Sequence, residues 1–204
     1  LGIIVSIAAW IQIHRFDPPL TGRTAALIGL ILCLFSSAAA PSEWYVRRVL
    51  LVQEAQQVAQ LFFDFLKHNE PHKAHQLSLP ARQRSPLDEN LWAKYTPGTD
   101  ARRDLEGFLE RKEVRAVMLL AKDPRTVIRL FDIEGVWRED DEERVALSYA
   151  VTYFDSNNKK RTFFVNVAAN RYAMRRQRLS DWYVSNVSSL TPPRTLEAEK
   201  AAWD

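Results

Sequence analysis

The sequence predicts an α+β protein in which a transmembrane helical hairpin precedes helices packed on a curved, four-stranded antiparallel sheet. Three observations carry that reading. Charge is segregated, since Arg15, Asp17 and Arg23 are the only charged side chains in the first 42 residues. A helical period free of glycine and proline runs from Glu43 to His68. After Pro124 the period becomes that of strands, in four segments separated by short connections.

The apolar end holds two runs. Leu1 to Ile13 is apolar but for Ser6 and Gln12, and Thr24 to Ser42 carries no charge. As helices they measure roughly 20 Å and 28 Å against a hydrocarbon layer of ~30 Å. The loop from His14 to Arg23, with Pro18 and Pro19, breaks them into a hairpin, and Gly29 with its small neighbours permits close helix contact. Trp44 and Tyr45 fall where amphipathic rings favour the headgroup zone, and Arg47 and Arg48 follow, so these four are the expected membrane-interface residues. Two alternatives remain at this level. A buried helix pair is opposed by the absence of any polar face. A cleavable signal sequence is imitated by Arg23, the run from Ala25 to Phe35 and the small residues before Pro41, and opposed by the apolar run upstream. The chain opens on Leu1 rather than Met, which predicts a piece of a longer protein.

The order of an apolar helix, a basic loop ending Leu20-Thr21-Gly22-Arg23 and a helix opening Ala25-Ala26-Leu27-Ile28-Gly29-Leu30 resembles the two-helix membrane domains of unknown function common in bacterial proteins. Arginines are balanced between the loop and the segment beyond the second helix, so charge leaves the orientation open. The resemblance implies a multi-pass protein of the bacterial cell membrane with its large domain on the extracytoplasmic side.

The charged remainder carries a net charge of only +2, too small for the broad cationic field of a nucleic-acid binder. The one cysteine, Cys33, excludes an intrachain disulfide and a thiolate zinc cage. The first helix should turn inward Val46, Val49, Leu50, Ala55, Val58, Ala59, Phe62, Phe65 and Leu66. Asn69-Glu70-Pro71 ends it and starts a second helix that stops at Pro80, and residues 81–98 read as a loop pinned by Leu91 and Trp92. Thr99 or Asp100 caps a third helix, and Val114 to Ala121 reads as helix. The strands are Thr126 to Arg138, Arg144 to Asp155, Arg161 to Tyr172 and Asp181 to Ser189, with Gly135 as a bulge. The expected division is a hairpin over 1–46, an α+β domain over 47–190 and a tail over 191–204.

Residues 52–189 resemble the nuclear-transport-factor-2-like superfamily, a cone-shaped fold shared with polyketide cyclases and ketosteroid isomerase. The resemblance is carried by Phe62-Phe63-Asp64-Phe65-Leu66-Lys67-His68-Asn69-Glu70, the helix around Ala74 and Leu77, the long strands and the closing Asp181-Trp182-Tyr183-Val184-Ser185-Asn186-Val187. It implies a cavity inside the cone, for which Phe131, Tyr149, Tyr153 and Asn166 are the candidate lining residues. Asp132 and Glu134 alternate with Phe131 and Ile133 and should face water.

Other clusters carry weaker chemistry. His68, His72 and His75 have metal-like spacing, but Pro71 separates the first from the others, so no metal is expected. The acidic run Glu139 to Glu143 and the basic Arg171, Arg175, Arg176 and Arg178 lie in connections at one end of a meander and should be solvated turns that compensate each other. No phosphate-binding loop, dinucleotide fingerprint or nucleophile elbow is present, and no cofactor is expected. The expected function is non-catalytic binding of a small apolar ligand or a protein partner at a lipid bilayer. The alternatives are a proton-transfer enzyme of isomerase or dehydratase type on the same scaffold, or a purely structural domain.

Overall fold

A computed structural model describes Ile11, residues 23–172 and residues 181–191. The first arm of the expected hairpin except Ile11, its loop, the arginines at 175, 176 and 178, and the tail from residue 192 lie outside the described residues. The fold is α+β, with a long N-terminal helix and a four-stranded antiparallel sheet. It divides into two compact units, Leu1–Leu50 and Leu51–Asp204.

Helix α1 runs from Arg23 to Lys67 without interruption. The sequence reading treats Thr24 to Ser42 and Glu43 to His68 as two segments, whereas the chain is helical through their junction. Pro41 removes one helical N–H, and the hydroxyls of Ser37 and Ser42 donate to the carbonyls of Cys33 at 2.6 Å and Ala39 at 2.8 Å. Among the described residues α1 is the one helix long and apolar enough to cross a membrane, with mean hydropathy 1.4 over its most apolar stretch, none of it buried.

The second half of α1 is amphipathic. Leu51, Ala55, Val58, Ala59, Phe62, Phe63 and Leu66 are buried in the core of the second unit, a stripe spaced by three and four residues. Val46, Val49 and Leu50, expected in the same stripe, are exposed and continue the exposed band begun by Trp44 and Tyr45. The helix ends where Asn69 adopts a left-handed conformation at φ 59°. Its N–H and that of Glu70 return to the carbonyls of Leu66 and Phe65, which satisfies the last turn. Pro71 then opens α2, Pro71–Leu77, at the position where its missing N–H costs nothing.

Two 3-10 turns, Ala81–Gln83 and Glu89–Lys94, lead to α3, Asp100–Glu110, and α4, Lys112–Leu120. The hydroxyl of Thr99 accepts from the Arg102 N–H and caps α3. Arg84 fastens this loop to the sheet region by donating to the carbonyls of Gln76, Leu79 and Trp182. Gln76 donates to the Tyr95 hydroxyl at 2.7 Å, and His75 Nδ1 lies 3.0 Å from the same oxygen.

The sheet is a meander in the order β1-β2-β3-β4, formed by Val127–Glu139, Glu142–Phe154, Lys160–Tyr172 and Tyr183–Thr191, with every neighbouring pair antiparallel. Val145, Leu147, Tyr149 and Val151 stand opposite Ala169, Val167, Val165 and Phe163 and give the core face. Beyond the bulge at Gly135, a second register shift falls between Leu130 and Asp132. The acidic run contributes only Asp140 and Asp141 to the first turn. Glu142 and Glu143 belong to β2, and Glu143 is 2% exposed.

Candidate functional site

A hollow in the second unit lies between α1 and the β1–β2 end of the sheet, with a volume of about 390 Å³. Each wall has a local cause. Gln60, Phe63, Asp64 and Lys67 recur at helical spacing and present one face of α1. Ile128 and Leu130 alternate on β1 and stand opposite Val151 and Tyr149. Ala121 and Thr126 close the side after α4, where Thr126 donates its hydroxyl to the Leu120 carbonyl at 2.6 Å. Arg125, paired with Asp123 at 2.8 Å, holds the turn between them.

Tyr149 is the buried aromatic of this hollow, 2% exposed and packed edge-on to Phe63 with ring centroids 4.9 Å apart. Its hydroxyl is buried and has no hydrogen-bond partner among the described residues. Burial pushes its pKa well above the ordinary phenol value, so the proton stays on the oxygen. The walls are apolar at Phe63, Ile128, Leu130 and Ala121 and include the buried Thr126, with an exposed rim of Gln60, Asp64 and Lys67. Arg129, between Ile128 and Leu130 on β1 and paired in register with Ala150, is also among the lining residues.

The expected lining residues are divided between two faces. Tyr149 lines the hollow. Tyr153 shares its face but stands at the strand end, its ring 5.9 Å from that of Phe163 and outside the lining. Phe131 packs on Phe164 across the other face, ring centroids 4.7 Å apart, and Asn166 accepts there from the Ser148 hydroxyl at 2.8 Å. The reason is alternation: Phe131 follows the core-facing Leu130, and Asn166 lies between the core-facing Val165 and Val167, whereas the register shift after Leu130 puts Ile133 opposite Leu147 and so on a different face from Phe131. Phe131, Asp132, Glu134, Ser148 and Phe164 surround a shallow hollow of about 40 Å³ on that second face, where both acids are exposed.

Sequence reasoning missed Gln60, Asp64 and Lys67. Their signal was a polar stripe at spacings of four and three beside the apolar one, marking a helix edge that borders a surface rather than bulk solvent. Trp44, Tyr45, Arg47 and Arg48 lie on α1 and are exposed, with the Arg48 guanidinium 5.5 Å from the Trp44 ring centroid. The histidines do not converge. His68 bonds the Asp64 carbonyl, His72 packs against Trp92, and His75 is buried beside Tyr95. Among the described residues no group of three His, Cys, Asp or Glu side chains is arranged to hold a metal ion.

No protein family, curated protein or solved structure matches the chain.

Proposed function

We propose that this is a membrane-tethered, non-catalytic domain that binds a small, mainly apolar ligand in the hollow between α1 and the sheet. The observation that carries the reading is the hollow itself. At about 390 Å³ it is of a size that takes small molecules, and it combines apolar wall residues with a polar rim. A long helix, shorter helices and then a four-stranded antiparallel meander are also the order of elements expected of a nuclear-transport-factor-2-like cone, and that order supports the reading.

The membrane part of the reading rests on α1. Its apolar stretch is long enough to span, and exposed aromatic and arginine pairs follow it. In this reading it is the second arm of a hairpin in a multi-pass bacterial membrane protein, with the unit Leu51–Asp204 on the extracytoplasmic side. A second reading, a proton-transfer enzyme on the same scaffold, draws on Asp64 and Tyr149 lining one hollow. No hydrogen bond joins these two side chains, and ligand binding is therefore preferred.

Photolabelling tests the binding reading. Benzophenone irradiated with the full-length chain in lipid nanodiscs should modify residues within 60–67 and 126–130, as mapped by peptide mass spectrometry. Labelling confined to the apolar stretch before Leu51 defeats the pocket.

A further inference from the structure

Granting that the hollow between α1 and the sheet is the binding site, we infer that its ligand is a short extended peptide of the pattern apolar-acidic-apolar, laid as an added strand along the free edge of β1 at Ile128–Leu130. Three observations lead there.

The first is where the hollow ends. Ile128, Arg129 and Leu130 are consecutive on β1 and all line it. Side chains of consecutive strand residues point to opposite faces, and Ile128 and Leu130, opposite Val151 and Tyr149, take the core face. A hollow under that face that also meets Arg129 must open at the border of the sheet. β1 is the outermost strand, so the border there is its unpaired edge.

The second is what that edge offers. In an antiparallel pair only alternate residues direct their N–H and C=O at the neighbour, and on an outer strand the others point away. Among the described residues, no group outside the sheet hydrogen-bonds the backbone of residues 127–130. The register runs unbroken from Val127 opposite Thr152 to Leu130 opposite Tyr149 and shifts immediately afterwards. A regular, unpaired edge is a template for an added strand, and the shift after Leu130 keeps that strand short.

The third is the pattern of side chains. Neighbours across a pair of strands share a face. Ligand residues beside Ile128 and Leu130 therefore enter the hollow, where Phe63, Ala121 and the two β1 side chains are apolar, and aliphatic groups suit them. The residue between them stands beside Arg129 on the other face. The charged lining groups are Asp64, Lys67 and Arg129, all exposed and none held in an ion pair among the described residues. Asp64 and Lys67 are opposite in sign and three residues apart on α1, which leaves Arg129 as the charge in excess. An acidic side chain complements it. The pattern reads the same in both directions, so it holds for a parallel or an antiparallel added strand.

The probes are acetyl-Val-Glu-Val-amide, its lysine counterpart acetyl-Val-Lys-Val-amide, and two singly N-methylated forms of the first, at the glutamate nitrogen or at the second valine nitrogen. Each is titrated into the full-length chain in lipid nanodiscs, with binding read from peptide diffusion by NMR and corrected against empty nanodiscs. The glutamate peptide should bind about threefold more tightly than the lysine peptide, and Arg129→Glu should reverse the preference. Successive N–H groups of a strand point to opposite sides, so one N-methylated form should bind about tenfold more weakly while the other matches the parent. That comparison uses the wild type alone and depends on no variant. Methyl groups that weaken binding equally, or not at all, overturn strand addition. Tighter binding of the lysine peptide to the wild type overturns the acidic class. If no peptide binds while benzophenone still labels 60–67 and 126–130, the peptide falls and the apolar pocket stands. If benzophenone also labels only before Leu51, the pocket falls with it.

Discussion

Arg171 Nε donates to Glu143 Oε2 at 2.7 Å across the β2–β3 pair, with 6% of the arginine side chain and 2% of the glutamate side chain exposed. The two residues are direct partners in the register. The same guanidinium reaches Glu54 on α1 through Nη1 and lies over the Trp182 ring, whose indole N–H donates to Glu54 at 2.9 Å. Three parts of the second unit, the helix, the sheet and the entry to β4, are thus joined through one cation.

Removing that cation leaves Glu143 buried without the guanidinium that balances it, which is the costly way to break an ion pair. Arg171→Ala should lose about 3 kcal/mol of stability in urea unfolding. Arg171→Met combined with Glu143→Gln should recover much of the loss, because the buried carboxylate is neutralised together with the guanidinium. Equal losses in both variants would falsify the assignment of the cost to the buried Glu143 carboxylate.

Stability should also fall as the solution is acidified from neutrality, through His75. Burial lowers its pKa below the usual imidazole value, a shift that the nearby Asp104 opposes and Arg111 assists. The folded state therefore holds this imidazole neutral where the unfolded chain has begun to protonate it. Its contribution is present above the unfolded value of about 6.5 and is lost as pH falls through that value towards the lower folded one. His72, lowered chiefly by burial as well, adds in the same direction. Urea midpoints at pH 7.5 and 5.5 should differ in the wild type and differ less in His75→Gln. An unchanged difference in the variant removes His75 from the account.

Local rules announced most elements of the fold. The strand period, Thr99 as a cap, Pro71 at a first helical turn and Gly135 at a register shift all act within a few residues and can be read one segment at a time. The burial of Glu143 and Arg171 could not be read so. Within Glu139 to Glu143 every acid looks equally solvated, and only the pairing of β2 with β3 places one of them opposite an arginine in the core. The candidate site divides along the same line. Tyr149 follows from simple alternation along β2, whereas the face of Ile133 relative to Phe131 is set by a register shift that depends on two strands. Continuity of α1 through Pro41 has a similar cause, because a local breaker sits inside a long run of helix-compatible small residues.

Gly135 is constrained by its neighbour. A Cβ built there would come within 2.8 Å of the Trp137 ring, which lies over it. Gly135→Ala should displace that partly exposed indole and cost about 1 kcal/mol, with a shift in tryptophan emission. In a Trp137→Ala background the same substitution should be close to neutral. A cost that persists without the ring places the strain in the backbone of the bulge.

Cys33, the only cysteine, gives a direct test of where α1 lies. It falls within the uncharged stretch between Thr24 and Ser42, well before Trp44 and Tyr45, so a span places its thiol in hydrocarbon. A membrane-impermeant maleimide should leave Cys33 unlabelled in intact membranes and label it after detergent solubilisation, and alkaline carbonate should fail to extract the chain. Orientation follows from moving the thiol. In Cys33→Ser with Asn157→Cys, the new cysteine sits in the exposed β2–β3 turn, where the backbone contact to Asp155 does not involve the replaced side chain. The same reagent added to intact cells should label it if the second unit is extracytoplasmic. Labelling only after lysis reverses the orientation, and labelling of Cys33 in undisturbed membranes removes the span.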